Sequence, residues 1–271
     1  MKVFAIKNKF DKDKIMAYLF YYERPKKFFI ELAEDADEWS VPFILSSFAK
    51  RGKMTVDARW SKIWVQQRIV PPDRQNIAQI LKDNNLKVYD EFNLLYLSDG
   101  RCAQDDCYIS EIDYIDLPAE IRDRRLKRVD DALMLDSSKL LIFFTDGVVK
   151  VCDLKKIVSN DSPLKIIMNK KPELLSNYHI EAGGFGIYWD ENMFISNAEL
   201  YKYGEIIPLA KKDFECFVSK RVVNTAEAAG ILNCSRQNID DLIRRDKLHP
   251  IKETEKGKLF LRSDIEKREW Q

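Results

Sequence analysis

The chain has 271 residues, 45 Lys plus Arg against 44 Asp plus Glu, and a formal net charge of +1, with 45% hydrophobic and 33% charged residues. That much apolar material excludes a disordered chain, and the charge balance excludes a histone-like polycation while leaving room for a basic patch on one domain. At about 100–200 residues per domain, the length predicts two domains, or three if some are small.

No run approaches the ~20 apolar residues needed to span a bilayer, and the start of the chain loses its apolar character after four residues, too soon for a signal peptide. The five cysteines, Cys102, Cys107, Cys152, Cys216 and Cys234, are odd in number and scattered, which argues against a disulfide framework. A reduced cytoplasmic protein with no membrane partner is the expectation. His179 and His249 are the only histidines, so no His-rich metal site fits within one chain.

The first third, 1–116, mixes strands and helices. Ile15–Tyr22 and Lys27–Leu32 read as strands joined by a turn at Glu23-Arg24-Pro25-Lys26. After the acidic loop 34–38, Ser40 is placed to cap a short helix with Pro42 in its first turn, stopped by Gly52. Thr55 is placed to cap a longer helix with Val56, Trp60, Ile63 and Trp64 on one face. Pro71-Pro72 ends that helix and starts another, whose buried face is Ile77, Ile80 and Leu81 and whose end is Asn84-Asn85. Short strands follow around Leu94–Leu97 and Cys107–Ile109. Between Lys50 and Lys82 stand eight basic and two acidic residues.

Arg59, Lys62 and Gln66 flank the tryptophan helix, and Arg74, Gln75, Gln79 and Lys82 line the next one. They form a solvated face by default, and a second nucleic-acid surface as the alternative. Cys102, Asp105, Asp106, Cys107 and Glu111 are close in sequence. Without a second Cys pair or a nearby His they read as a solvated turn, so neither a zinc site nor a carboxylate cation site is expected. There is no P-loop, G-x-G-x-x-G or G-x-S-x-G, so no enzyme and no cofactor is predicted.

Residues 117–127, opened by Pro118 and rich in Arg, read as a basic linker or helix. From 128 to 210 the pattern turns to short strands. Leu140–Phe144 and Val148–Cys152 form a hairpin about Thr145-Asp146-Gly147, and Tyr178–Glu181 and Phe185–Trp189 form another about Gly183-Gly184. Ser196-Asn197-Ala198-Glu199 is a capping box. His179 reads as a partly buried strand histidine and His249, before Pro250, as structural.

The last part, 217–271, carries the strongest pattern. Asn224 caps a helix with the small pair Ala228-Ala229, Asn233-Cys234 turns the chain, and Ser235 caps a second helix from Arg236 to Asp246. Ile239, Leu242 and Ile243 share its buried face, with Gln237, Asp241 and Arg244 opposite and Arg236, Asn238, Asp240 and Arg245 flanking. A hairpin follows, turning at Glu255-Lys256-Gly257-Lys258. Ser263-Asp264-Ile265-Glu266 reads as a capping box for a terminal helix. From Lys220 onward there are 12 basic and 9 acidic residues, a modest excess.

On the alanine pair, the Ser-capped second helix, the double Arg and the Lys258–Glu266 ending, this segment resembles the winged helix-turn-helix of the MerR and phage-excisionase superfamily. The resemblance implies duplex DNA as partner, read as a homodimer. Ser235, Arg236, Gln237 and Asn238 would stand near base edges, and Arg244, Arg245, Lys256 and Lys258 near phosphates. The runs Lys139–Gly147, Val149–Leu154, Pro163-Leu164, Ala182–Trp189 and Ala198–Tyr201 resemble bacterial domain-of-unknown-function family 2442, which implies a small α+β fold without known chemistry. The expectation is therefore an α+β multidomain transcriptional regulator. It has an α/β-mixed N-terminal domain open to a protein partner, a small α+β middle domain and a C-terminal winged helix-turn-helix. A protein-interaction adaptor or antitoxin-like regulator is the alternative.

Overall fold

Aromatic and β-branched runs at the start of the chain build an antiparallel meander of β1 (Lys2–Asn8), β2 (Ile15–Tyr22) and β3 (Lys27–Leu32), in which Phe4 pairs with Leu19 and Leu19 with Ile30. This computed structural model describes residues 1–11, 13–136, 138–158, 162–190, 193–208, 211–255 and 257–270, with the backbone alone at 211 and 212. The chain is mixed α and β, with several antiparallel sheets, and divides into two units, Met1–Asp123 and Arg124–Gln271.

In the first unit, α1 (Phe43–Lys50) follows β3. Ser40 does not cap it: Pro42 holds the N-cap position, and the Ser40 hydroxyl accepts from the Asp37 N–H at 2.9 Å in the preceding turn. Thr55 does not cap a helix either. Thr55–Val56 is strand β4, paired with β3, and the Thr55 hydroxyl donates to the buried Glu31 carboxylate at 3.0 Å. The cap of α2 (Ala58–Gln66) is Asp57, which accepts from the Trp60 N–H. Trp64 and Val65 are fully buried on this helix, whereas Trp60 stays 39% exposed with its edge against Phe48.

Pro71 and Pro72 lie in the loop before α3 (Ile77–Asp83) and do not start it; Ile77, Ile80 and Leu81 are only half-buried. Leu94–Leu97 is not a strand but part of α4 (Glu91–Leu97), capped by Asp90 through the Asn93 N–H at 3.0 Å. A four-residue apolar run fits either element, and the cap decides it. Strand β5 (Cys107–Ile112) completes a sheet ordered β4-β3-β2-β1-β5, with Phe4, Leu19, Ile30, Leu45, Trp64 and Leu95 in its core. The unit boundary falls inside α5 (Ala119–Leu126).

In the second unit, β6 (Val129–Met134), β7 (Lys139–Phe144) and β8 (Val149–Asp153) form a second meander. Val129 pairs with Phe144 and Asp131 with Phe143, so Asp130 is the extra residue of a β-bulge. Short helices α6 (Leu154–Ile157) and α7 (Pro163–Lys170) follow, then β9 (His179–Ile180), β10 (Gly186–Asp190) and β11 (Met193–Ser196). His179 is exposed rather than partly buried, with its ring 5.4 Å from that of Tyr188. Gly184, at φ 72°, needs to be glycine, because a Cβ there would collide with the Val129 carbonyl oxygen. The capping box Ser196–Glu199 opens α8 (Asn197–Tyr203), and β12 (Glu205–Ile206) adds to β8 at the sheet edge.

Helix α9 (Lys211–Arg221) leads into β13 (Val222–Asn224), α10 (Thr225–Ile231), α11 (Arg236–Arg244), β14 (Lys252–Thr254), β15 (Gly257–Leu261) and α12 (Arg262–Glu266). Strand β15 pairs with both β13 and β14. Helix α11 stops at Arg244, short of Asp246, because Asp246 turns to φ 58°. Ser263 caps nothing. Leu261 holds the N-cap of α12, and Ser263 is buried inside the helix. Among the described residues no helix is long and apolar enough to cross a membrane.

Candidate nucleic-acid interface

The site is a helix pair and a hairpin built on a small apolar core. Asn224 caps α10, its side chain accepting from the N–H groups of Ala226 and Glu227, while Glu227 returns a bond to the Asn224 N–H. Fully buried Ala228 lets α11 approach α10 closely. Asn233, at φ 48°, reverses the chain, and the Ser235 hydroxyl accepts from the Asn238 N–H at 3.2 Å to start α11. Ile239 is wholly buried against Val223, Ala228, Phe260 and Ile265, with Leu242 and Ile243 packed beside it.

Locking that face inward leaves Arg236, Gln237 and Asn238 exposed on the first turn, where no acidic residue stands. The backbone N–H groups at this end and the helix dipole favour an anion. Arg236 and Arg245 make no ion pair among the described residues; Arg245 is the exposed C-cap. Two of the other three cations are held internally. Arg244 pairs with Asp241 on the same helix, and the Lys258 Nζ on β15 lies 3.0 Å from the Asp240 Oδ1. Lys256 falls outside the described residues. The structure thus gathers Ser235, Arg236, Gln237 and Asn238 at one end of α11, sets Arg244 and Arg245 at the other, and brings Lys258 beside the helix. The sequence pattern does not single out Lys247 and Lys252, which are exposed cations between α11 and the hairpin and on β14. A tally of basic residues on either side of Pro250 would find them.

Beneath the module lies a buried ionic hub. The Arg221 Nη2 reaches the Asp131 Oδ1 at 2.5 Å and the Glu266 Oε2 at 3.1 Å, so one guanidinium joins the end of α9, strand β6 and helix α12. Burial alone would lower the Arg221 pKa, but the Asp131 and Glu266 carboxylates outweigh it and hold it above its ordinary value. Burial pushes the Asp131 carboxyl above its usual range in spite of Arg221. The Tyr178 hydroxyl, donating to the Ala132 carbonyl at 2.6 Å, is pushed by burial to about 12. Lys267 pairs with Asp130 on the bulge, and Phe217 lies 4.9 Å from Phe143.

The other flagged clusters are committed elsewhere. Asp105 pairs with buried Arg68, whose guanidinium stacks 3.7 Å from the Trp64 ring centre, and it accepts from the Cys107 N–H. The Cys107 thiol is pushed to about 12 by burial and then by Asp105. Asp106 pairs with Lys9. Among the described residues no group of three or more His, Cys, Asp or Glu is placed to hold a metal ion. Gln66 and Lys62 turn to Glu91, at 2.9 and 3.8 Å, and Arg74 donates to the Asn76 side chain.

Compared with protein-family models, with curated proteins and with solved structures, the chain matches none.

Proposed function

We propose that this protein is a transcriptional regulator that reads duplex DNA through residues 217–271, a winged helix-turn-helix with α11 in the major groove and the β14–β15 hairpin as wing. The observation that carries the reading is the first turn of α11. Its buried face fixes Ile239 inward, so that Arg236, Gln237 and Asn238 stand together in the open on an acid-free, Ser-capped helix start. A guanidinium matches the two acceptors of guanine, and a carboxamide matches adenine. Two copies of the chain would pair so that two modest modules share one site.

The test is binding of the full chain to a selected duplex, followed by fluorescence anisotropy over a range of salt. Arg236→Ala should weaken the selected site by about 1–3 kcal/mol and relax preference at one base pair. Unchanged binding with an intact fold would reject the assignment. One feature favours a second role, contact with a protein partner through the first unit: Trp39 and Phe43 are 87% and 94% exposed, beside the acidic loop 34–38.

A further inference from the structure

A helix meant to approach a polyanion carries two adjacent carboxylates, Asp240 and Asp241, in its middle turn. Neither is a structural necessity for the helix. Both are partly exposed, at 57% and 37% of their side chains, and neither caps an element. What they do is hold cations. Asp240 faces Lys258 on the wing, and Asp241 faces Arg244 one turn along the same helix.

We infer that Asp240 and Asp241 are a brake on sequence-independent DNA binding, an inference that rests on the DNA-reading function proposed above. Each carboxylate offers its cation the same partner a phosphate would offer. Surface pairs of this kind are worth about 0–1 kcal/mol, so they yield readily, but a cation that leaves one anion for another gains little by the move. The usual return from such a contact is release of a counterion condensed on DNA, which appears as about 0.9 in the slope of log K against log salt. A cation already paired within the protein, whose freed carboxylate must then sit near the duplex, forfeits most of that return. Arg236 keeps its return, since no carboxylate engages it, while the uncharged Gln237 and Asn238 draw no such return and offer hydrogen bonds alone. The balance shifts from attraction that any sequence supplies toward hydrogen bonds that only some sequences supply. Asp240 and Asp241 are two of the 9 anions that, against 12 cations from Lys220 onward, leave the module only a modest basic excess.

The test uses the full chain and a fluorescein-labelled duplex of random sequence, with anisotropy titrations over a salt series. Asp240→Asn and Asp241→Asn should each tighten binding about five- to tenfold near 0.1 M salt and steepen the salt slope by about 0.9. Both changes are near-isosteric at exposed positions, and a thermal melt verifies the fold. Lys258→Gln added to Asp240→Asn should return affinity and slope to those of the parent. A gain that survives Lys258→Gln would mean simple carboxylate repulsion and overturn the pairing. Variants that bind no tighter than a parent with a clear salt slope would overturn the brake and leave the DNA-reading function standing. No duplex binding by the parent or by any variant would overturn that function, and the inference with it.

Discussion

Arg221 ties three elements of the second unit through one buried guanidinium. With Asp131 almost wholly buried and Glu266 on its other side, it answers two carboxylates from distant parts of the chain. Removing it leaves a buried charge without a partner, a change that typically costs about 3–5 kcal/mol. Arg221→Ala should therefore lower the urea midpoint of unfolding markedly, while Arg245→Ala, on an exposed cap, should barely move it. Asp131 gives the pH test. Its folded pKa is raised above the ordinary value of 3.8, so the folded state keeps a proton that the unfolded chain releases. Its contribution to stability is fully present below that ordinary value and is lost as pH rises through the raised folded value. Asp131→Asn should flatten this acidic limb in urea titrations run at a series of pH values. None of this was legible in the sequence, because Arg221 and Asp131 lie ninety residues apart and meet only in the fold.

Elements were legible where their determinants are local. The Asn224 and Ser235 caps and the Ser196–Glu199 box each lie within four residues of what they bond, and each stands where the pattern put it. The 3.6-residue spacing of Ile239, Leu242 and Ile243 also set Arg236, Gln237 and Asn238 outward. Thr55 was misleading because its hydroxyl goes to Glu31 across the sheet, and Ser263 because a neighbouring strand ends at Leu261 and leaves it inside the helix. The Asp240–Lys258 pair joins two elements and has no local signature. Helix α4 supplies the element-scale test. Asp90 caps it and also receives the Lys26 ammonium at 2.9 Å. Burial pushes the Asp90 carboxyl up, but Lys26 and the helix N–H groups outweigh it and hold it below its ordinary 3.8. Its stabilisation is present above that value and is lost as pH falls through the lowered one. Asp90→Ala should cost about 0.5–2 kcal/mol at neutral pH, with the deficit closing in acid, as read by chemical denaturation.

At the scale of the whole chain, the division between 123 and 124 falls in α5, where Arg122, Arg124, Arg125 and Lys127 offer tryptic sites. Limited trypsin digestion should cut first between 122 and 128 and leave the second unit in one piece. The reason is that Arg221, Lys267 and Phe217 bind its C-terminal module to β6 and β7. Early release of a stable 217–271 fragment would contradict this. The bulge at Asp130 gives the same attachment a geometric consequence. By adding one residue to β6 it lets two consecutive aspartates serve one neighbour, Asp130 taking Lys267 and Asp131 taking Arg221. The module that carries α11 is thus attached to the sheet at Lys267 and Arg221 as well as through the chain. For the homodimer proposed above, the two recognition helices would keep a fixed angular phase around the duplex, matched to half-sites about one helical turn apart. Inserting roughly five base pairs between half-sites turns one of them to the far side of the double helix, and affinity should fall toward that of a single half-site.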